Sequence, residues 1–203
     1  MMTARRVHTY TPVMPRWPTD ARERLEQAAL ELFFEQGFAE TSVPQIAARA
    51  GLTTRTFFRH FADKREVLFG GEDPPARIEQ LMAEVPTSVG PVALVVSQLG
   101  PFAEAVFGGR RAALRMRQRI IETDQGLRER ELQKMARMKS AIVHGFQRRG
   151  SDDLTASLAA DLAMAVLGAA LARWLADERA RPLSAFVEEA TGSLKQLTAD
   201  LHR

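Results

Sequence analysis

The chain of 203 residues contains no cysteine, one tyrosine, two tryptophans and only four lysines among 28 basic side chains. Without cysteine there is no disulfide, iron–sulfur cluster, thiolate zinc site or thiol nucleophile. That absence fits a reducing compartment. No uninterrupted apolar run reaches the roughly 18 residues of a membrane span. Residues 1–18 also lack the apolar segment of a secretory signal. A soluble, cytoplasmic protein with no membrane partner is therefore expected. The same scarcities explain an isoelectric point of 9.8 beside a formal charge of only +3. Almost nothing in the chain titrates between about pH 8 and 10, so a small arginine surplus carries the value upward. The high isoelectric point does not by itself announce a polyanionic partner.

Residues 1–18 hold Pro12, Pro15 and Pro18, three arginines (Arg5, Arg6, Arg16) and no acid. They read as a flexible N-terminal arm. Two uses stand open for it: an unstructured tail, or a basic strand that follows a nucleic-acid backbone or minor groove. From Thr19 the pattern becomes helical. Asp20 with Glu23, Ser42 with Gln45 and Asp63 with Glu66 have capping-box spacing. Leu25, Ala28, Ala29, Leu32 and Phe33 recur at helical spacing up to Gly37. Gly70-Gly71 marks an expected boundary, and helices are predicted near 75–85, 91–107, 109–122, 125–149, 152–178 and 183–201. The fold class is all-α, about nine helices. The expected domains are the arm (1–18), a helix-turn-helix DNA-binding domain (19–70) and a larger helical domain for effector binding and dimerisation (71–203).

Residues 42–61, SVPQIAARAGLTTRTFFRHF, carry the informative pattern. A first short helix turns Val43, Ile46, Ala47 and Ala50 inward. Gly51 supplies the positive φ of the corner, and Leu52 plugs the gap between helices. The second helix then shows a polar edge of Thr54, Arg55, Arg59 and His60, suited to the major groove. Phe57 and Phe61 belong to the core.

Over residues 19–69 the chain resembles the DNA-binding domain of tetracycline-repressor (TetR) regulators. The matching stretch is ALELFFEQGFAETSVPQIAARAGLTTRTFFRHFADKREVL. It holds Phe-x-x-x-Gly-Phe, Thr-Ser-Val, Ile-Ala-x-x-Ala-Gly-Leu, Thr-Phe-Phe-x-x-Phe and Asp-Lys in register. Trp174 followed by Arg-Pro-Leu and a last helix resembles actinobacterial-type members. The resemblance implies a repressor that binds a palindromic double-stranded DNA operator as a homodimer and lets go when a small effector binds. It assigns Thr54 and Arg55 to base edges, where an arginine bidentate to guanine contributes about 1–3 kcal/mol of discrimination. Thr41, Thr53 and Thr56 are implied phosphate donors, with Ser42 beside them. Lys64 adds charge at a helix start, and Arg59 and His60 face phosphate or base. Phe58 departs from the family's usual tyrosine, so it packs on sugar or a thymine methyl instead of bonding a phosphate.

In the second half, two long helices with wide apolar faces suggest a homodimer interface through Leu158, Leu162, Val166, Ala169, Phe186, Leu194 and Leu197. An internal core is the competing use of the same stripe. The effector chamber is expected from Met82, Phe102, Val106, Phe107, Met116, Met135, Met138, Ile142 and Trp174, for a hydrophobic or anionic effector. Residues 110–149 carry twelve basic side chains against four acidic ones. Three uses stand open for this stretch: a solvated face, neutralisation of an anionic effector by Arg115 and Arg119, or a second nucleic-acid surface. The four histidines lie far apart in sequence, and no triad, metal motif or phosphate loop is present. No catalytic residues, metal or cofactor are expected. A helical interaction adaptor or a small helical enzyme are the alternative functions.

Overall fold

In the computed structural model, residues 20–69, 74–179 and 181–199 are described. The expected arm and the Gly70-Gly71 boundary lie outside them. Ten helices and no strand occur among the described residues: α1 (Ala21–Gln36), α2 (Val43–Arg49), α3 (Thr54–His60), α4 (Glu66–Phe69), α5 (Pro74–Glu84), α6 (Pro91–Phe107), α7 (Arg111–Thr123), α8 (Gln125–Arg148), α9 (Asp153–Ala176) and α10 (Leu183–Ala199). The count is one more than the expected nine.

The helix ends follow their local chemistry. Asp20 caps α1 by accepting from the Arg22 amide at 3.2 Å, although Glu23 does not complete a box. Gln45 Oε1 accepts from the Ser42 amide and hydroxyl, both at 2.8 Å. Thr53 accepts from the Thr56 amide at 3.1 Å, and Asp152 accepts from the Thr155 amide at 3.0 Å. Each satisfies an orphan donor of a first turn. Gly51 has φ +64° at the corner between α2 and α3. There its successor, Leu52, returns an amide to the Ala47 carbonyl at 2.8 Å. Gly109, at φ +73°, lets α6 and α7 meet at 85°.

Two cores result. Beneath α1–α4 lies a cluster of Leu25, Leu32, Phe33, Ile46, Phe57 and Phe61. Ile120 and Ile121 of α7 and Leu127 of α8 complete it. The second cluster joins α5, α6, α8, α9 and α10 around Phe102, Phe146, Leu167, Trp174 and Phe186. By length and composition α9 would suffice to cross a membrane, which a test of uninterrupted runs does not register. It packs against α6, α7, α8 and α10 and buries Val166, Leu167 and Trp174 among other residues.

Arg149 fastens the second body. Its guanidinium donates to the carbonyls of Met82 (2.9 Å), Val85 (2.6 Å), Pro86 (2.7 Å) and Val89 (3.1 Å). These include carbonyls at the end of α5, which a helix leaves without intrahelical donors. Only a planar fork reaches four of them at once. Arg149→Met is expected to lower the unfolding free energy by about 2–3 kcal/mol in urea titration. Arg149→Lys should recover less than half of that loss.

Candidate nucleic-acid interface and effector chamber

Helix α3 is anchored by Phe57 and Phe61, which are 0% and 1% exposed. Their rings lie 5.4 Å apart. With that face inward, Thr54, Arg55, Phe58 and Arg59 share the outward one, and all four are exposed. Phe58 is 58% exposed and leans edge-on against Phe57 at 5.5 Å. Arg55 has no hydrogen-bond or ion-pair partner among the described residues. His60 is half-buried and stands 3.5 Å from an Arg59 nitrogen. Thr53 and Thr56 join hydroxyls at 3.0 Å at the start of α3. Ser42 is exposed at the start of α2. These side chains lie exposed or half-buried on the surface of the helix-turn-helix.

Two expected members of that surface do not reach it. Thr41 is 2% exposed; its hydroxyl donates to the Gly37 carbonyl at 2.8 Å and accepts from Gln36 Nε2 at 3.2 Å. Lys64 Nζ donates to the carbonyls of Phe38 (2.8 Å), Ala39 (3.2 Å) and Thr41 (2.8 Å). It also sits 4.4 Å from the Phe38 ring centroid. The connection between α1 and α2 leaves carbonyls without helical donors, and these two side chains satisfy them. Their role is to hold the reading head together.

Most basic side chains of the stretch 110–149 are engaged by acids or carbonyls of the chain, although five of the twelve stay exposed. Arg110 pairs with Glu26 of α1 at 3.8 Å. Arg117 donates to the Leu68 carbonyl at 2.6 Å, pairs with Glu131 and covers the Phe69 ring at 5.0 Å. Arg130 meets Asp63 at 3.2 Å and lies 5.9 Å from the same ring. Three arginines thus tie α7 and α8 to the head. Crowding has an electrostatic consequence, since burial and then the nearby Arg117 charge hold Lys134 below the ordinary 10.5. Burial likewise raises the Glu26 carboxyl above 4.5, against the pull of Arg22 and Arg110.

A narrow apolar cavity, with about 50 Å³ open to a water-sized sphere, lies between α5, α6, α8 and α9. Its walls are Ile78, Leu81 and Met82; Leu94, Val95, Gln98, Leu99 and Phe102; Met138, Ile142 and Phe146; and Ala163, Met164 and Leu167. Of the residues expected there, Met82, Phe102, Met138 and Ile142 line it. Val106, Phe107 and Met135 pack on the same core without lining the cavity. Met116 packs instead against the head's core. Trp174 is buried, with its indole donating to the Arg181 carbonyl at 3.0 Å. Arg115 donates to the carbonyls of Leu175 and, at 2.8 Å, Asp177, closing the end of α9. Arg119 is exposed and lines no wall. From α9 only Trp174 is expected in the chamber, and it is Ala163, Met164 and Leu167 of that helix that line it. That helix is apolar all round, which is the signal that both of its faces are used.

The outward face of α9 carries Leu158 at 60% exposure, with Ala165, Gly168, Ala169 and Ala172 also exposed. Leu197 of α10 is 70% exposed. Leu162 and Leu194 are half-buried. Val166 and Phe186, expected on the same face, are 5% and 1% exposed and belong to the internal core. Each sits on the side of its helix that faces the protein's own helices.

A helical head with a polar recognition edge, mounted on a larger helical body with a cavity, defines a class of DNA-binding regulator. Comparison with known proteins agrees with that class. Residues 26–69 match the family described as "Bacterial regulatory proteins, tetR family", and residues 102–199 match the "MftR C-terminal domain". The HTH-type transcriptional regulator TcmR of Streptomyces glaucescens is 31% identical over 198 residues, covering 90% of this chain and 86% of TcmR. Native NalD, the secondary repressor of the MexAB-OprM multidrug efflux pump in Pseudomonas aeruginosa, superposes with a TM-score of 0.60 at 20% identity, covering 87% of this chain and 95% of NalD. The SmeT–triclosan complex gives 0.57 at 21% identity, covering 86% and 90%. The chain belongs to the TetR family of transcriptional regulators and is not an enzyme.

Burial raises the Asp63 carboxyl, but hydrogen bonds from the Glu66 amide and Arg130 outweigh it and leave the group below its ordinary 3.8. A carboxylate lowered in the folded state stabilises it above the unfolded value and loses that contribution as pH falls through the folded one. The stability gap between wild type and Asp63→Asn, read from urea midpoints, is therefore expected to be full near neutrality. It should close as the pH falls below 3.8.

Proposed function

We propose that this regulator is a repressor that acts in the cytoplasm as a homodimer on a palindromic operator and is released by a small molecule held in the cavity of the body. The observation that carries the reading is the outward edge of α3, where Thr54 and Arg55 stand exposed on a helix whose opposite face is locked by Phe57 and Phe61. A short helix held this way presents its first residues to base edges of a major groove. Thr53, Thr56, Ser42, Arg59 and His60 flank that edge as phosphate contacts, and Phe58 offers an apolar surface to sugar or a thymine methyl. The division of labour follows the expected domains, with residues 19–70 reading and residues 71–203 sensing and dimerising.

Dimerisation rests on the exposed Leu158, Ala169 and Leu197, with Leu162 and Leu194 at the edge of the same surface. Small residues at 165, 168, 169 and 172 permit close approach of a second α9. Two reading heads in one dimer match two half-sites related by a twofold axis. Release requires that the effector discriminate between the two head arrangements by about 1–3 kcal/mol.

A gel shift with DNA from upstream of the protein's own gene tests the reading. Arg55→Ala is expected to weaken binding by roughly 5- to 150-fold, the equivalent of about 1–3 kcal/mol, with an unchanged melting temperature; full retention of binding would contradict the proposed base contact. Leu158→Glu should convert the dimer to a folded monomer in sedimentation velocity. A wild-type monomer at micromolar concentration would refute the dimer.

A further inference from the structure

We infer that the molecule admitted to the cavity is uncharged and largely hydrocarbon, of the class of a neutral alcohol, ketone or ester, and that Gln98 is its one polar anchor; the inference rests on the cavity being the effector site. Every wall side chain except Gln98 is apolar. Gln98 is half-buried, its amide nitrogen 3.3 Å from the Ser97 hydroxyl. An amide both donates and accepts, so it suits a hydroxyl or carbonyl without demanding a charge. Met82, Met138 and Met164 give the walls shape tolerance. An ionised carboxylate placed among them would lose its hydration with no cation in return, a cost that a neutral ligand of the same length avoids.

The neighbouring surface does not supply the missing cation. A groove lined by Glu79, Met82, Ala83, Val85, Thr87, Gly145, Arg148 and Arg149 adjoins the cavity, with Met82 common to both. Met82 fits into the notch left by Gly145, where a Cβ would stand only 2.2 Å from its sulfur. An anionic head in this groove, its chain passing Met82, would meet Arg149 already committed to four carbonyls. It would also meet Arg148 facing the Glu79 carboxylate at 3.6 Å. Binding there competes with the α5 clamp at Arg149 or with the Glu79 carboxylate for Arg148. Of the two sequence candidates for charge neutralisation, Arg115 is spent on the end of α9 and Arg119 lines no part of the cavity.

Three probes with one chain length separate the possibilities: 1-decanol, decanoate at a pH where it is ionised, and the decanoyl thioester of coenzyme A. Each is titrated against the full-length protein carrying Nile red, and each is added to the gel shift with upstream DNA. Decanol is expected to displace the dye with an apparent Kd at least tenfold below that of decanoate or the thioester, and to weaken DNA binding. In Gln98→Arg the preference should move toward decanoate by tenfold or more, because a cation now stands at the cavity wall. Equal or tighter binding of decanoate or the thioester to the wild type overturns the inference and leaves the effector reading standing. No shift of preference in a folded Gln98→Arg also overturns it. If none of the three displaces the dye or affects DNA binding, the inference and the effector reading fall together.

Discussion

The reading head does not close its own core. Phe33, Phe57 and Phe61 are sealed by Ile120, Ile121 and Leu127, which arrive from α7 and α8, and the seam is bordered by three arginines that reach back to Glu26, Leu68 and Asp63. A cluster of this size loses apolar contact on one side if the seam opens, at roughly 25 cal/mol for each Å² exposed. Helix α3 packs on α1 and α2, and α1 in turn packs on α7. Helix α8, 24 residues long, also walls the cavity with Met138, Ile142 and Phe146. One rod thus touches both the reading head and the cavity.

The distribution of charge follows from the same constraint. A stretch with twelve basic residues looks in sequence like a surface for an anion. Most of those side chains instead reach an acid or a carbonyl elsewhere in the chain, as at Arg115 on the end of α9 and Arg149 on the end of α5. Arginine suits this use because a planar fork serves several carbonyls that helices leave without donors. What remains at the recognition edge is modest: Arg55 and Arg59 beside small hydroxyls. The proposed recognition therefore rests on specific placement, with little help from bulk charge.

Much of the architecture is legible in the amino-acid pattern. The last six helices lie within a few residues of their expected spans because Pro91, Gly108-Gly109, Gly150 and Pro182 interrupt helical patterns in ways that local sterics enforce. Gly51 takes the positive φ its corner requires, and Ser42, Thr53 and Asp63 cap as their side chains allow. Five of the errors share one cause. The sequence points Thr41 and Lys64 toward DNA, Val166 and Phe186 toward a second subunit, and Arg115 toward a ligand, whereas all five turn to the protein's own interior or backbone. A polar side chain near a helix start can turn outward to a phosphate or inward to an orphan carbonyl, and its spacing is identical in both cases. Likewise α9 is apolar on every side, so its periodicity does not divide the inner stripe from the outer one.

Which segments are helical, where each one stops, and that a corner at Gly51 joins two short helices with a polar edge on the second are all consequences of local sequence. They depend on dihedral preferences, capping groups and hydrophobic spacing over a few residues. Packing of the helices settles the rest: which arginines serve as internal clasps, which side of α9 stays exposed, and that the cavity wall holds a single amide and no charge. These features depend on partners far apart along the chain, as between Arg117 and Leu68, |i−j| = 49, or Arg149 and Met82, |i−j| = 67. No local preference encodes such pairings, because they exist only once the helices have come together.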